Sequence, residues 1–302
     1  MTRRALFAAG AVAIRAQQKK GPKVFLDYDQ AELDAMYNQS AYAANSAQVQ
    51  RRYATNSELT RARLGPPARV SYGPGDLEKL DIFRVPGGNA PVLVYVHGGA
   101  WHGGLARDYS FLAEPFTGTG AIFVVLDFAP VQDLGDSLLA MEQQVQNGIQ
   151  WVHDHAKEFG GDAGRIFVGG HSSGAHLAGA ALTLLPDGVV RGAMLVSGMY
   201  DLRGPRLSSR GASIKFDDAT EDALSPQRHI ANIHVPLIVA YGTLETPEFQ
   251  RQSREFAEAV KAAGKPVETI VGENYNHFEL IETLGNPYGI LGRAALRMMN
   301  LR

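Results

Sequence analysis

The chain has 302 residues, 45% of them hydrophobic and 20% charged, with a formal net charge of −2. That is the composition of an ordinary globular protein with room for a large core, and it gives no sign of a nucleic-acid or polyanion partner. Cysteine is absent, so disulfides, thiolate catalysis and cysteine-ligated metals are excluded. No zinc-finger spacing and no fixed-period repeat is present.

In "MTRRALFAAGAVAIRAQQ" the paired Arg3 and Arg4 precede an apolar run from Ala5 to Ile14, with Ala16 at a candidate cleavage point. This pattern reads as an export signal, of twin-arginine type. The run is too short for a membrane span. Residues 1–20 are therefore set apart from the fold, and an exported, periplasmic or secreted protein is expected, with a cytoplasmic one as the alternative.

Residues 21–66 read as a helical cap region. "QAELDAMYNQSAYA" and "SAQVQRRYATNSELTRARL" carry Leu33, Met36 and Tyr37 at helical spacing, and Gly65-Pro66-Pro67 ends the pattern. Such a short segment cannot bury a core of its own.

From residue 67 to 302 short apolar runs alternate with helical stretches, as in a single α/β domain. The predicted strands are "ARVSYG", "KLDIFRV", "PVLVYVHG", "AIFVVLDF", "RIFVGGH", "GAMLVSG", "PLIVAYG" and "PVETIV". The first two alternate in polarity and lack an intervening helix, which predicts an antiparallel hairpin. The middle ones are continuously apolar, as in parallel strands covered on both faces. Helices are predicted at Asp136–Phe159, Ser173–Leu185, Pro247–Ala263 and from about Tyr288 onward. Tyr200 to Ile230 has no clear period and is expected to cross the carboxyl edge of the sheet, where ligands bind in such folds.

Gly170-His171-Ser172-Ser173-Gly174 fits G-x-S-x-G when centred on Ser172 and fails when centred on Ser173. A sharp strand-to-helix turn would lift the Ser172 hydroxyl to its apex, and side chains at the flanking glycines would clash there. With 33 glycines in the chain the motif alone is weak. Its setting, an apolar strand before and an Ala-rich helix after, strengthens it. Upstream, "VLVYVHGGAWHGG" ends a strand and continues as His97-Gly98-Gly99-Ala100-Trp101. Glycines there let backbone amides turn toward the neighbouring strand end. Gly99 and Ala100, with the Ser173 amide, are the expected oxyanion donors, and Gly98 is the next candidate.

A triad in this arrangement runs Ser, acid, His. Of the nine histidines only His277, in "VGENYNHFEL", follows the last predicted strand, and imidazole is the natural base near neutral pH. The acid should follow "PLIVAYG". Glu245 falls in that loop, while Glu248 lies beyond Pro247; Asp201 and Asp218 are substitutes. Other features admit plainer readings. His153 and His155, two apart on a helix, look like solvated surface rather than a metal pair. His176 reads as packing within its helix. Trp101 reads equally as a substrate-stacking or a structural aromatic, and we place it with Gly98 among the substrate-binding candidates. Arg203, Arg206 and Arg210 read as a solvated loop rather than a carboxylate site.

With these motifs, "ETPEFQRQS" after Tyr241-Gly242, Asn276-His277-Phe278, "LDYDQAELDAMYNQSAYA" and "DALSP", the chain resembles the α/β-hydrolase superfamily. Within it the chain is similar to the hormone-sensitive-lipase-like esterases and their arylformamidase (kynurenine formamidase) branch. The resemblance covers nearly everything after the export segment. It implies an eight-stranded, mostly parallel sheet with the second strand antiparallel. It also implies hydrolysis of esters or aryl formamides through an acyl-enzyme, without metal or organic cofactor. Carried over, Ser172 is nucleophile, Glu245 acid and His277 base. The chain departs from the branch at Ala100, where an aromatic is usual, at Glu245, where Asp is common, and at Ser173, where Ala is frequent. The branch's tryptophan-degrading members are cytosolic, whereas this chain carries an export pattern. The favoured expectation is therefore a carboxylesterase for short-chain, aryl or phenolic esters, with small-molecule substrate and water as its only implied partners. Arylformamidase or amidase activity is the alternative, and a non-catalytic binder on the same scaffold comes third.

Overall fold

The structure, a computed structural model, describes residues 20–301; apart from Lys20, the export segment lies outside the described residues. Helices α1 (Gln30–Met36), α2 (Gln39–Tyr42) and α3 (Ser46–Leu64) come first. Strands β1 (Ala68–Ser71), β2 (Lys79–Phe83) and β3 (Ala90–Val96) follow, then α4 (Glu114–Gly118) and β4 (Ile122–Leu126). Next come α5 (Leu138–His155), β5 (Gly161–His171), α6 (Ser173–Leu184) and β6 (Gly192–Val196). The excursion holds α7 (Arg203–Leu207) and α8 (Asp218–Ala223). The chain ends with β7 (Leu237–Gly242), α9 (Pro247–Ala262), β8 (Val267–Gly272), α10 (His277–Glu282) and α11 (Ile290–Met298).

One eight-stranded sheet runs β1-β2-β4-β3-β5-β6-β7-β8. β2 is antiparallel to both β1 and β4, and every later pairing is parallel. The expected hairpin and the parallel middle are both present. All seven residues of β3 and all five of β4 are buried, which explains their unbroken apolar sequence. Their side chains alternate between two cores. Val92, Val94 and Val96 pack with α5, α6 and α9, while Leu93 and Tyr95 pack with α3, α4, α10 and α11. The N-terminal helices join both cores, Leu33 and Tyr37 on one face and Val49 and Tyr53 on the other.

Helix α5 starts two residues later than expected. Gly135 and Asp136 take left-handed conformations, and the Ser137 hydroxyl caps the helix by accepting from the Ala140 amide at 3.2 Å. Its inner face carries an anomaly. Glu142 is buried, and neither carboxyl oxygen has a hydrogen-bond partner. Burial drives this carboxyl well above its ordinary 4.5, and Gln146 one turn on offsets only part of the shift. The folded protein thus keeps a proton that the unfolded chain releases. The resulting penalty is absent below the unfolded pKa and grows as pH rises toward the folded one. Glu142→Gln copies the neutral acid. It should match the parent's stability at about pH 4 and exceed it by about 1–3 kcal/mol at about pH 8. Urea unfolding at the two pH values checks this; a difference independent of pH would contradict it.

Candidate active site

Ser172 stands between β5 and α6 with φ 58° and ψ −127°. This is a strained conformation for a residue with a side chain, held by the Ser172 amide donating to Val196 O at 2.9 Å. The glycines on either side are required by packing. A Cβ on Gly170 would lie 2.4 Å from Gly174 O, and one on Gly174 would lie 2.2 Å from Val96 O. Both obstacles are backbone, which cannot step aside.

The segment after β3 passes close by. A Cβ on Gly98 would meet His171 O at 3.0 Å. Gly99, Ala100 and Trp101 have φ of 142°, 55° and 69°, so the loop holds positive φ over three residues, free of strain at the glycine but costly at Ala100 and Trp101. Its anchor is a buried carboxylate. Asp127 accepts from the Ala106 amide at 2.5 Å and from Arg69 at 2.5 Å, and its Oδ1 lies 3.7 Å from His97 Nε2. Burial alone would raise the Asp127 carboxyl; His97, the Ala106 amide and Arg69 outweigh it and hold it below its usual value. Among the described residues, the amides of Gly99, Ala100 and Ser173 have no acceptor within the protein. For Ser173 this follows from its place as first residue of a helix.

His277 opens α10, whose N-cap Asn276 accepts from the Phe278 and Glu279 amides at 3.0 Å each. The imidazole Nδ1 lies 3.2 Å from Glu245 Oε2. A carboxylate can only accept, so Nδ1 carries a proton, and in the neutral imidazole Nε2 is then the nitrogen with the lone pair. Glu245 is 2% exposed. Its other oxygen accepts from the Ser197 hydroxyl at 2.6 Å and the Gly242 amide at 2.7 Å. The imidazole also rests on His171, ring centroids 4.5 Å apart, and the edges of Phe249 and Phe278 meet it at 5.2 Å. His171 Nε2 donates to His277 O at 2.8 Å. Burial, then the nearby His277, push the His171 imidazole well down, so it is neutral.

Ser172, His277, His171, Gly98, Gly99 and Ala100 all line one cavity of about 500 Å³. Its outer wall comes from the N-terminal helical region, including Tyr37, Gln39 and Tyr53. Sequence reasoning did not assign that wall, nor Ser197 or His171. Ser197 could have been found, because it directly follows β6 at the sheet edge that carries Ser172.

Other candidates lie elsewhere. Trp101 does not line the cavity: it is 1% exposed and its indole donates to His176 Nδ1 at 3.2 Å. Its place as a substrate-binding candidate is therefore corrected to a scaffold one. His176 Nε2 in turn donates to Leu224 O at 2.8 Å, and burial pulls its imidazole down to about 4. Asp201 pairs with Arg228, Asp218 with Arg206 and Glu248 with Arg251, so none of the three meets His277. His153 contacts Asp154, while His155 stacks on Trp151.

The BD-FAE family model matches residues 80–188. The chain is 32% identical over 247 residues to a zebrafish (Danio rerio) kynurenine formamidase, covering 76% of this chain and 80% of that protein. It is 31% identical over 224 residues to the esterase LipQ of Mycobacterium tuberculosis, covering 65% of this chain and 52% of LipQ. A crystal structure from a Silicibacter species, provisionally named a thioesterase, superposes with a TM-score of 0.77 at 28% identity, covering 86% of this chain and 97% of that one. With this sheet order and these relatives, the chain belongs to the α/β-hydrolase superfamily, among the hormone-sensitive-lipase-like enzymes of the kynurenine-formamidase-like branch.

Proposed function

We propose that this enzyme, a serine ester hydrolase, is a carboxylesterase that carries its acyl group on Ser172. The observation that supports this most is the joint opening of Ser172 and the Glu245–His277 pair onto one cavity. In this reading His277 Nε2 takes the proton as Ser172 Oγ attacks the ester carbonyl carbon. The amides of Gly99, Ala100 and Ser173 donate to the oxygen that becomes negative. His277 then returns the proton to the departing alcohol, leaving an acyl-serine. A water, deprotonated by the same imidazole, attacks the acyl carbon, and the acid leaves as Ser172 is restored. Glu245 holds the imidazole in the required tautomer throughout. The expected substrates are short-chain, aryl or phenolic esters, and Ala100, on the cavity wall in place of the branch's usual aromatic, is taken to widen the acyl pocket. The reading also takes residues 21–66 as a cap on a catalytic domain from residue 67 and residues 1–20 as an export signal.

The likeness to a kynurenine formamidase favours a second reading, cleavage of aryl formamides at the same serine. An uncharged aryl phosphonate, followed by peptide mapping, should label Ser172. A panel of aryl acetates, butyrates and formanilides then ranks the two readings, with esters expected to turn over faster. Formanilide turnover equal to ester turnover would favour the second reading. No labelling at Ser172 would remove both.

A further inference from the structure

Three arginines of the excursion behave differently. Arg203 and Arg206 reach Glu221 at 3.5 and 3.0 Å, and Arg206 also reaches Asp218. Arg210 has no carboxylate partner among the described residues. It is half-buried and lines the cavity that holds Ser172 and His277. The expectation of a solvated loop is thus corrected for this one residue.

The placement of Arg210 is a built one. Its Nε and Nη2 donate to Tyr37 O at 3.2 and 2.7 Å. Its guanidinium carbon lies 6.0 Å from the Tyr37 ring centroid and 5.8 Å from that of Trp101, so two aromatic rings flank it. The Tyr37 hydroxyl is fixed in turn by Glu248 and Gln252, each at 3.2 Å. Nη1 is buried and has no hydrogen-bond partner. Burial pulls the guanidinium down to about 10, which still leaves it charged at neutral pH. Arg210 is the one arginine or lysine among the lining residues, and Asp108 is the one acid there. Asp108 lies 3.9 Å from Arg107 and is not paired with Arg210.

A buried charge is normally paired, because desolvation without a counter-charge is costly. Here the protein supplies ring faces and a carbonyl but withholds the carboxylate. We propose that Arg210 is a specificity-determining residue that anchors a substrate carboxylate, so that the preferred substrates are esters or amides bearing a carboxylate remote from the scissile bond. This rests on the reading of Ser172 and His277 as the reacting site.

Two matched pairs test it. On the acyl side, 4-nitrophenyl hemiglutarate is compared with 4-nitrophenyl valerate. On the leaving-group side, the acetyl ester of 3-(4-hydroxyphenyl)propanoate is compared with that of its primary amide. The parent enzyme should favour the anionic member of at least one pair by tenfold or more in kcat/KM, mostly through KM, and added salt should reduce the ratio. Arg210→Met should bring the ratio to about one, and Arg210→Lys should keep part of it. A ratio near one in both pairs for the parent, or an unchanged ratio in Arg210→Met, would overturn the proposal. Binding of 3-phenylpropanoate against 3-phenylpropanamide, by titration calorimetry on parent and Arg210→Met, gives a readout free of turnover. The carboxylate should bind the parent at least tenfold more tightly, and this preference should vanish in the variant. Carboxylate preference in binding without any hydrolysis would refute the reacting-site reading alone. Hydrolysis without carboxylate preference would refute the anchor alone.

Discussion

Ser172→Ala should lower kcat on an activated aryl ester by about ten-thousandfold or more while leaving the folded structure in place. Alanine fits the elbow because the change removes one oxygen and adds nothing near Val96 O or Gly174 O. The φ of 58° is as costly for alanine as for serine, so melting temperature should barely move. Neither of the two nearest serines can substitute. Ser197 Oγ is committed to Glu245 Oε1 at 2.6 Å and is buried. Ser173 is 2% exposed and does not line the cavity. Turnover by the purified variant, compared with phosphonate labelling of the parent, checks the expectation. Activity within tenfold of the parent would remove Ser172 from the chemistry.

The fold was legible from sequence because two faces of each central strand are buried. That condition writes itself as unbroken apolar runs such as "PVLVYV" and "IFVVL", and it recurs at every parallel strand. The elbow was legible because backbone crowding admits only glycine beside Ser172. Glu245 and His277 could be singled out as candidates because each lies within a few residues of a strand end, beyond Gly242 and Gly272, where chain order limits the choices. What sequence reasoning missed depends on long-range packing. Trp101 reads from sequence as a substrate-binding candidate, yet its indole is satisfied by His176, 75 positions away. Arg210 looked like its neighbours Arg203 and Arg206. Its difference is that Tyr37, on the opposite side of the molecule in sequence terms, offers a carbonyl in place of a carboxylate. The cavity's outer wall was missed for the same reason. Residues 21–66 show helical period but carry no mark of which strand end they cover.

The second large effect is expected at Glu245, and its sign follows from hydrogen-bond polarity. Oε1 accepts from two donors, the Ser197 hydroxyl and the Gly242 amide, and Oε2 accepts from His277 Nδ1. In Glu245→Gln the two fixed donors claim the amide oxygen, which leaves the NH₂ group facing His277. Nδ1 must then accept, the proton moves to Nε2, and the lone pair needed to take the Ser172 proton is lost. The geometry survives while the tautomer is wrong. We expect kcat to fall about ten-thousandfold with KM little changed, as when the equivalent acid of a serine triad becomes its amide. Glu245→Asp tests the same contact by length. An aspartate is one methylene short and cannot hold both the Gly242–Ser197 pair and the imidazole without moving the loop, so kcat should fall about tenfold to a hundredfold, well short of the glutamine variant. Steady-state kinetics on one aryl ester, with phosphonate labelling rates as an independent report on Ser172 nucleophilicity, compares the three proteins. A glutamine variant that keeps kcat within tenfold of the parent would mean that Glu245 only fills space, and the acid would have to be sought elsewhere. Among the described residues, the other acids weighed for this role, Glu248, Asp201 and Asp218, are paired with arginines. Of these four acids Glu245 is the one in contact with the buried His277 imidazole, and the polarity argument makes it the group expected to orient that ring.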